Sequence, residues 1–177
     1  MVILIPLGIF VLIGLIIFIV LYNGLVHARN YCDESWSDID TELKRRYNLI
    51  PNLVETVKGY AQHEKEVLEQ VINARNQAMG NHGTPTSQAR DENLLISDMR
   101  RLFALVENYP DLKANQNFLH LQQELSNTED RIQRARRFYN GNVRDLANRI
   151  ETMFNFQKRE YFEIHEAVMR QAPEVKL

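Results

Sequence analysis

Glycine and proline are scarce in this chain, seven and five among 177 residues. No stretch alternates apolar and polar residues at the two-residue period of a half-buried strand, so an all-β, turn-rich fold is excluded. Cysteine occurs once, as Cys32. A lone thiol forms no internal disulfide and builds no cysteine-based zinc site. Neither sign of charge dominates: 21 Lys and Arg face 23 Asp and Glu, for a net charge of −2. Without a basic face there is no electrostatic case for nucleic acid as a partner.

The signatures of catalysis are missing as well. A di-iron carboxylate bundle needs Glu-x-x-His on two helices. The residues three before His27, His63, His82, His120 and His165 are Gly24, Tyr60, Met79, Asn117 and Phe162. His63-Glu64 and His165-Glu166 each lack the second histidine of His-Glu-x-x-His. There is no phosphate loop, dinucleotide fingerprint or Cys-x-x-Cys. The expectation is a protein that is not an enzyme, with no catalytic, cofactor-binding or metal-ligating residue and no cofactor.

What is present begins with a long apolar run. Met1 to Leu21 carries no Asp, Glu, Lys, Arg or His, and the first of these is His27. A run of about 20 such residues spans the hydrocarbon core of a bilayer. The rival reading is a cleaved signal peptide, for which Val26-His27-Ala28 is a loose cleavage site. That reading lacks a basic leading region and needs a shorter apolar core. Residues 1–22 are therefore expected to be a single transmembrane anchor, with Tyr22 as an interfacial aromatic. Arg29 and Lys44-Arg45-Arg46 follow the span and no Lys or Arg precedes it. The positive-inside rule then puts the N-terminus outside and the rest of the chain in the cytoplasm.

Beyond the anchor the apolar spacing is helical. Trp36, Ile39, Leu43, Tyr47, Ile50, Val54, Val57, Ala61, Leu68, Val71 and Ala78 recur mostly at threes and fours, which predicts one buried stripe on a long helix. Pro51 lies inside it without shifting the phase, so it is expected to kink the helix rather than end it. Gly80 should close that helix in the left-handed conformation, and Thr84-Pro85 should cap and open the next. The stripe of the second helix is Leu94, Leu95, Met99, Leu102, Leu105 and Val106. Pro110 is expected to open the third, whose stripe runs from Phe118 through Leu125, Ile132 and Tyr139 to Ile150 without a break at Gly141. The predicted class is all-α, an antiparallel coiled-coil-like bundle of three long helices plus a shorter C-terminal one. It occupies residues 23–153, and residues 154–177 form an aromatic tail with a short helix.

Polar residues interrupt these stripes. Glu64 and Arg75 border the first seam, while Glu129 and Arg136 share a face on the third helix. They are either a solvated edge or a partly buried network linking the two helices. Lys44-Arg45-Arg46 is expected to be a solvated face, with a contact to anionic lipid as the alternative. In the tail, Phe156, Tyr161 and Phe162 are candidate partner contacts or a cover for the bundle end.

The stretches "LIPNLVETVKGY" and "YPDLKAN" resemble the motifs of the LemA family, and the likeness extends over nearly the whole chain. The resemblance implies a bacterial protein with one membrane-spanning helix and a soluble antiparallel helical bundle. It implies no catalytic or cofactor residues. The chain departs from the family pattern near its end, where Asn155 replaces a glycine. The function expected is a scaffold or adaptor anchored in the bacterial cytoplasmic membrane. Its expected partners are the lipid bilayer, further copies of itself, which Gly8 and Gly14 would let approach within the membrane, and other membrane proteins. The alternatives are a regulatory partner of a membrane protease or signalling system, and an unrecognised hydrolase or ligand carrier.

Overall fold

The computed structural model describes residues 4–154, and every regular element among them is an α-helix. Helix α1, Leu4–Lys58, is a single element of 55 residues that includes Pro51. Its two halves meet different surroundings. Side chains from Leu7 to Leu21 are exposed, Phe10 by 76%, and none of the most apolar 18-residue stretch is buried. From Ala28 onward one face turns inward through Cys32, Ile39, Leu43, Ile50, Leu53 and Val57. Steps of three, four and seven keep these residues on a single stripe of the helix.

The long first helix expected through Ala78 is in fact two. α1 ends at Lys58, and α2 runs from Lys65 to Gly80. Gly59 and Tyr60 still bond back to the carbonyls of Glu55 and Val57, and Glu64 N–H reaches the carbonyl of Ala61. The chain thus reverses through tight turns closed by backbone hydrogen bonds. Ala61 remains buried inside the reversal, which is why the apolar spacing passes through unbroken. Arg75 of α2 lies beside Tyr47 of α1, so α2 runs back along α1 as the second arm of a helical hairpin.

Nor does Gly80 close α2 as expected. The helix ends on Asn81, whose backbone is extended at φ −82° and ψ 116°. The side chain of Asn81 then holds the turn: Nδ2 donates to Asp91 Oδ2 at 2.5 Å, and Oδ1 accepts from Gly83 N–H at 2.8 Å. Helix α3, Pro85–Val106, starts as its sequence dictates, with Thr84 as N-cap accepting from Ser87 N–H and Pro85 at the first position. Leu94 is corrected to the outer face, 45% exposed. The buried line of α3 is Gln88, Ala89, Glu92, Leu95, Met99, Leu102 and Val106.

Pro110 opens a separate single turn, α4, Pro110–Lys113. The last long helix, α5, Gln116–Phe154, is capped by Asn115, whose Oδ1 accepts from the N–H groups of Asn117 and Phe118. It passes Gly141 without interruption. α5 lies antiparallel to α1 along most of its length. Asn115 Nδ2 donates to Tyr60 Oη at 3.0 Å, Trp36 and Tyr139 pack with ring centroids 5.4 Å apart, and Arg149 reaches the Gly24 carbonyl. The α2–α3 hairpin covers the far part of this pair.

A buried ionic junction as the candidate functional site

Three helices place ionisable groups against one another at the middle of the bundle. Arg46 of α1 lies three residues after Leu43 and four before Ile50, so its side chain enters the core with theirs, and only 2% of it is exposed. The expectation of a solvated Lys44-Arg45-Arg46 face is therefore corrected at its third residue. Lys44 and Arg45 remain exposed. Arg46 Nη1 donates to Glu129 Oε2 of α5 at 2.7 Å, and Nη2 pairs with Glu92 Oε2 of α3. Glu92 is fully buried. Taking such ions out of water costs several kcal/mol each, and the cost is offset only where further hydrogen bonds complete the geometry.

Those bonds come from the neighbouring residues. Tyr47 Oη donates to Glu92 Oε1. Gln88 Nε2 lies 3.0 Å from Tyr47 Oη, 3.2 Å from Glu92 Oε1 and 3.1 Å from the Ala78 carbonyl of α2. Burial pushes the Tyr47 phenol up to about 12, against the opposing pull of Arg46, so it stays a donor at neutral pH. Arg136 is buried two turns along α5 from Glu129. Burial lowers its guanidinium to about 10 although Glu129 works to raise it, and Arg46 adds to the lowering. It too is charged at neutral pH.

Pro51 takes part through the bond it cannot make. A residue at that position would normally donate its N–H to the carbonyl four residues earlier, which is Tyr47. Proline leaves that carbonyl open, and Arg75 Nε of α2 donates to it at 3.1 Å. The one missing rung of the helix's hydrogen-bond ladder and the docking of the hairpin arm are thus one feature.

Of the four residues picked out for a polar network, Glu129 and Arg136 belong to the junction and Arg75 borders it through Tyr47. Glu64 lies apart in the α1–α2 reversal, where its Oε1 accepts from Tyr109 Oη at 3.4 Å. Sequence reasoning missed Arg46, Glu92 and Gln88. Their signal was position, since Glu92 falls three after Ala89 and three before Leu95 on the buried face. Phe156, Tyr161 and Phe162 lie outside the described residues. Among the described residues no group of three His, Cys, Asp or Glu side chains is arranged to hold a metal ion. The junction pairs acids with arginines across three helices.

Fold and junction together define a class of protein, an all-α bundle continuous with one apolar helix long enough to cross a membrane. The model of the LemA family matches residues 35–177, and the chain belongs to that family. The match takes in the junction and begins within α1, beyond its apolar half, a narrower reach than the motifs suggested. Protein LemA of Metamycoplasma hominis is 25% identical over 154 residues, which cover 87% of this chain and 70% of that protein.

Proposed function

We propose that this protein is a non-enzymatic scaffold or adaptor, held by α1 in the bacterial cytoplasmic membrane and self-associating there. One observation carries the reading: the helix whose first half is apolar and bare is the same helix that forms the spine of the bundle. With no linker between them, the bundle is presented at a set distance and orientation from the bilayer. The buried Glu92 and the half-buried Glu129 of the junction are both engaged by Arg46, which supports a structural role over a chemical one. A cytoplasmic bundle follows from Arg29 and the later basic residues.

Alkaline carbonate washing of membranes tests the anchor, and cross-linking of the protein in native membranes tests the assembly. Retention in the membrane together with one defined oligomer is the expected result. A chain released by carbonate, or a strict monomer in lipid, defeats the reading. Cys32 is buried and useless as a topology reporter. The exposed Ser37→Cys in a Cys32→Ser background should be labelled by an impermeant maleimide only after the membrane is opened from the cytoplasmic side.

A further inference from the structure

The end of the α1–α5 pair next to the apolar run carries a groove that the junction does not use. It has a volume of about 440 Å³ and lies between Gly24, His27 and Tyr31 of α1 and Asn142, Asp145 and Arg149 of α5. A second hollow of about 250 Å³ adjoins it, bounded by Val20, Leu21 and Leu25, with Gly24 and Arg149 common to both. One hollow sets charged groups among apolar walls that include Ala28 and Phe138, its neighbour is apolar, and a single arginine stands at their junction.

The height of this groove follows from α1. The apolar run ends at Leu21, and the headgroup layer on each face of a bilayer is roughly 5–7 Å deep, or about four residues of helix. Gly24 therefore lies at headgroup depth. Arg149 Nη1 is held there, 3.4 Å from the Gly24 carbonyl. A Cβ on residue 24 would meet that nitrogen at 3.5 Å, an ordinary contact, which shows how closely the guanidinium lies against α1. Asp145 is one helical turn farther from the bilayer, about 6 Å along α5. Asn142 is not open to a ligand through its amide N–H groups, which go to the Tyr31 carbonyl at 3.2 Å and Ser35 Oγ at 3.1 Å.

We infer that this double groove binds one phospholipid with a phosphoethanolamine headgroup. Its phosphate sits on Arg149, its ammonium on Asp145, and an acyl chain lies along Val20, Leu21 and Leu25. The inference rests on α1 being a membrane anchor. The order of charges argues for this headgroup. The cation is at phosphate depth and the carboxylate is one turn outward, where the ammonium of such a lipid projects. A purely anionic headgroup would meet Asp145 as a like charge. Arginine suits a phosphate by its fork of donors, and His27 adds a further N–H on the same side.

The test extracts the full chain in mild detergent from membranes of equal phosphatidylethanolamine, phosphatidylglycerol and phosphatidylcholine, and weighs the retained lipid by native mass spectrometry. The expected result is one phosphatidylethanolamine per chain. Arg149→Gln should lower its retention at least tenfold with an unchanged thermal melt, because the side chain is exposed. Asp145→Asn should shift the preference toward phosphatidylglycerol several-fold. Equal retention by the wild type and Arg149→Gln, or no choice among headgroups, overturns the inference. Displacement of the lipid by millimolar glycerophosphoethanolamine would overturn the acyl-chain part, leaving a soluble phosphate ester as the ligand. A photoreactive side chain at residue 31 should label lipid. Labelling of residues 155–177 in its place would make the tail the occupant and overturn the lipid. Carbonate washing of the same membranes separates the two failures: a chain that washes off sinks the anchor, whereas one that stays without selecting lipid sinks only this site.

Discussion

The two halves of α1 share a backbone conformation and differ in almost everything else. Leu7 to Leu21 present apolar side chains on all sides, whereas from Ala28 onward apolar residues keep to one stripe. An all-round apolar helix has no wet face and suits hydrocarbon, while a striped one has an inner face and suits water. The same contrast governs charge. No Asp, Glu, Lys, Arg or His precedes His27, yet Arg46 and Glu92 are taken into the core of the striped half's bundle. A helix in lipid offers a charge no ready partner. A bundle offers opposite charges from two other helices at once.

Lysine introduced into the apolar half should break the comparison most sharply. Ile13→Lys with Ile16→Lys adds about 5–7 kcal/mol to the cost of insertion. The protein should leave the membrane pellet for the soluble fraction, and the bundle should melt at an unchanged temperature. The converse substitution, Arg46→Ala, should leave membrane retention intact and lower the unfolding free energy by about 3–5 kcal/mol in denaturant titration, since Glu92 is then buried without its cation. Tyr47 provides a test by pH. Its phenol keeps its proton to about 12 in the folded protein and ordinarily ionises near 10. Between these values the unfolded chain binds fewer protons than the folded one, so stability falls as pH rises. The loss reaches about 3 kcal/mol. Arg136 acts with the opposite sign over part of that range, so the difference between wild type and Tyr47→Phe is the quantity to measure, and the variant should lack the fall. A smaller effect is expected at Pro51. In a double-mutant cycle, Arg75→Ala should cost about 1 kcal/mol less in the Pro51→Ala background, where a backbone N–H again reaches the Tyr47 carbonyl. Leu94→Ser, on the exposed side of α3, should change stability by no more than about 0.5 kcal/mol.

How much of this was legible depended on the kind of information needed. The stripe of α5 is local and periodic, and its passage through Gly141 followed from phase alone. Thr84-Pro85 was equally plain, because capping is a matter of neighbouring residues. The reversal at residues 59–64 was not. Val57 and Leu68 are buried on either side of it and Ala61 within it, so a hairpin and a continuous helix show the same apolar spacing. Arg46 and Glu92 were misjudged or overlooked because residue type outweighed position, although both fall on the buried face of their helices. The partnership of Arg75 with the Tyr47 carbonyl needed three dimensions, since it joins residues 28 apart across the hairpin.

The absence of any break in α1 between Leu21 and Lys58 has a consequence for encounter. If α1 spans the bilayer as proposed and stands upright, that stretch at 1.5 Å per residue extends about 55 Å from the bilayer surface. A flexible tether would let the bundle sweep a hemisphere and lie flat on the lipid. A stiff mast confines it to a shallow shell at fixed height, moving only by lateral diffusion and rotation about its own axis. A partner fixed in the same membrane meets it in two dimensions and in few orientations. One floating free in solution gains no such advantage.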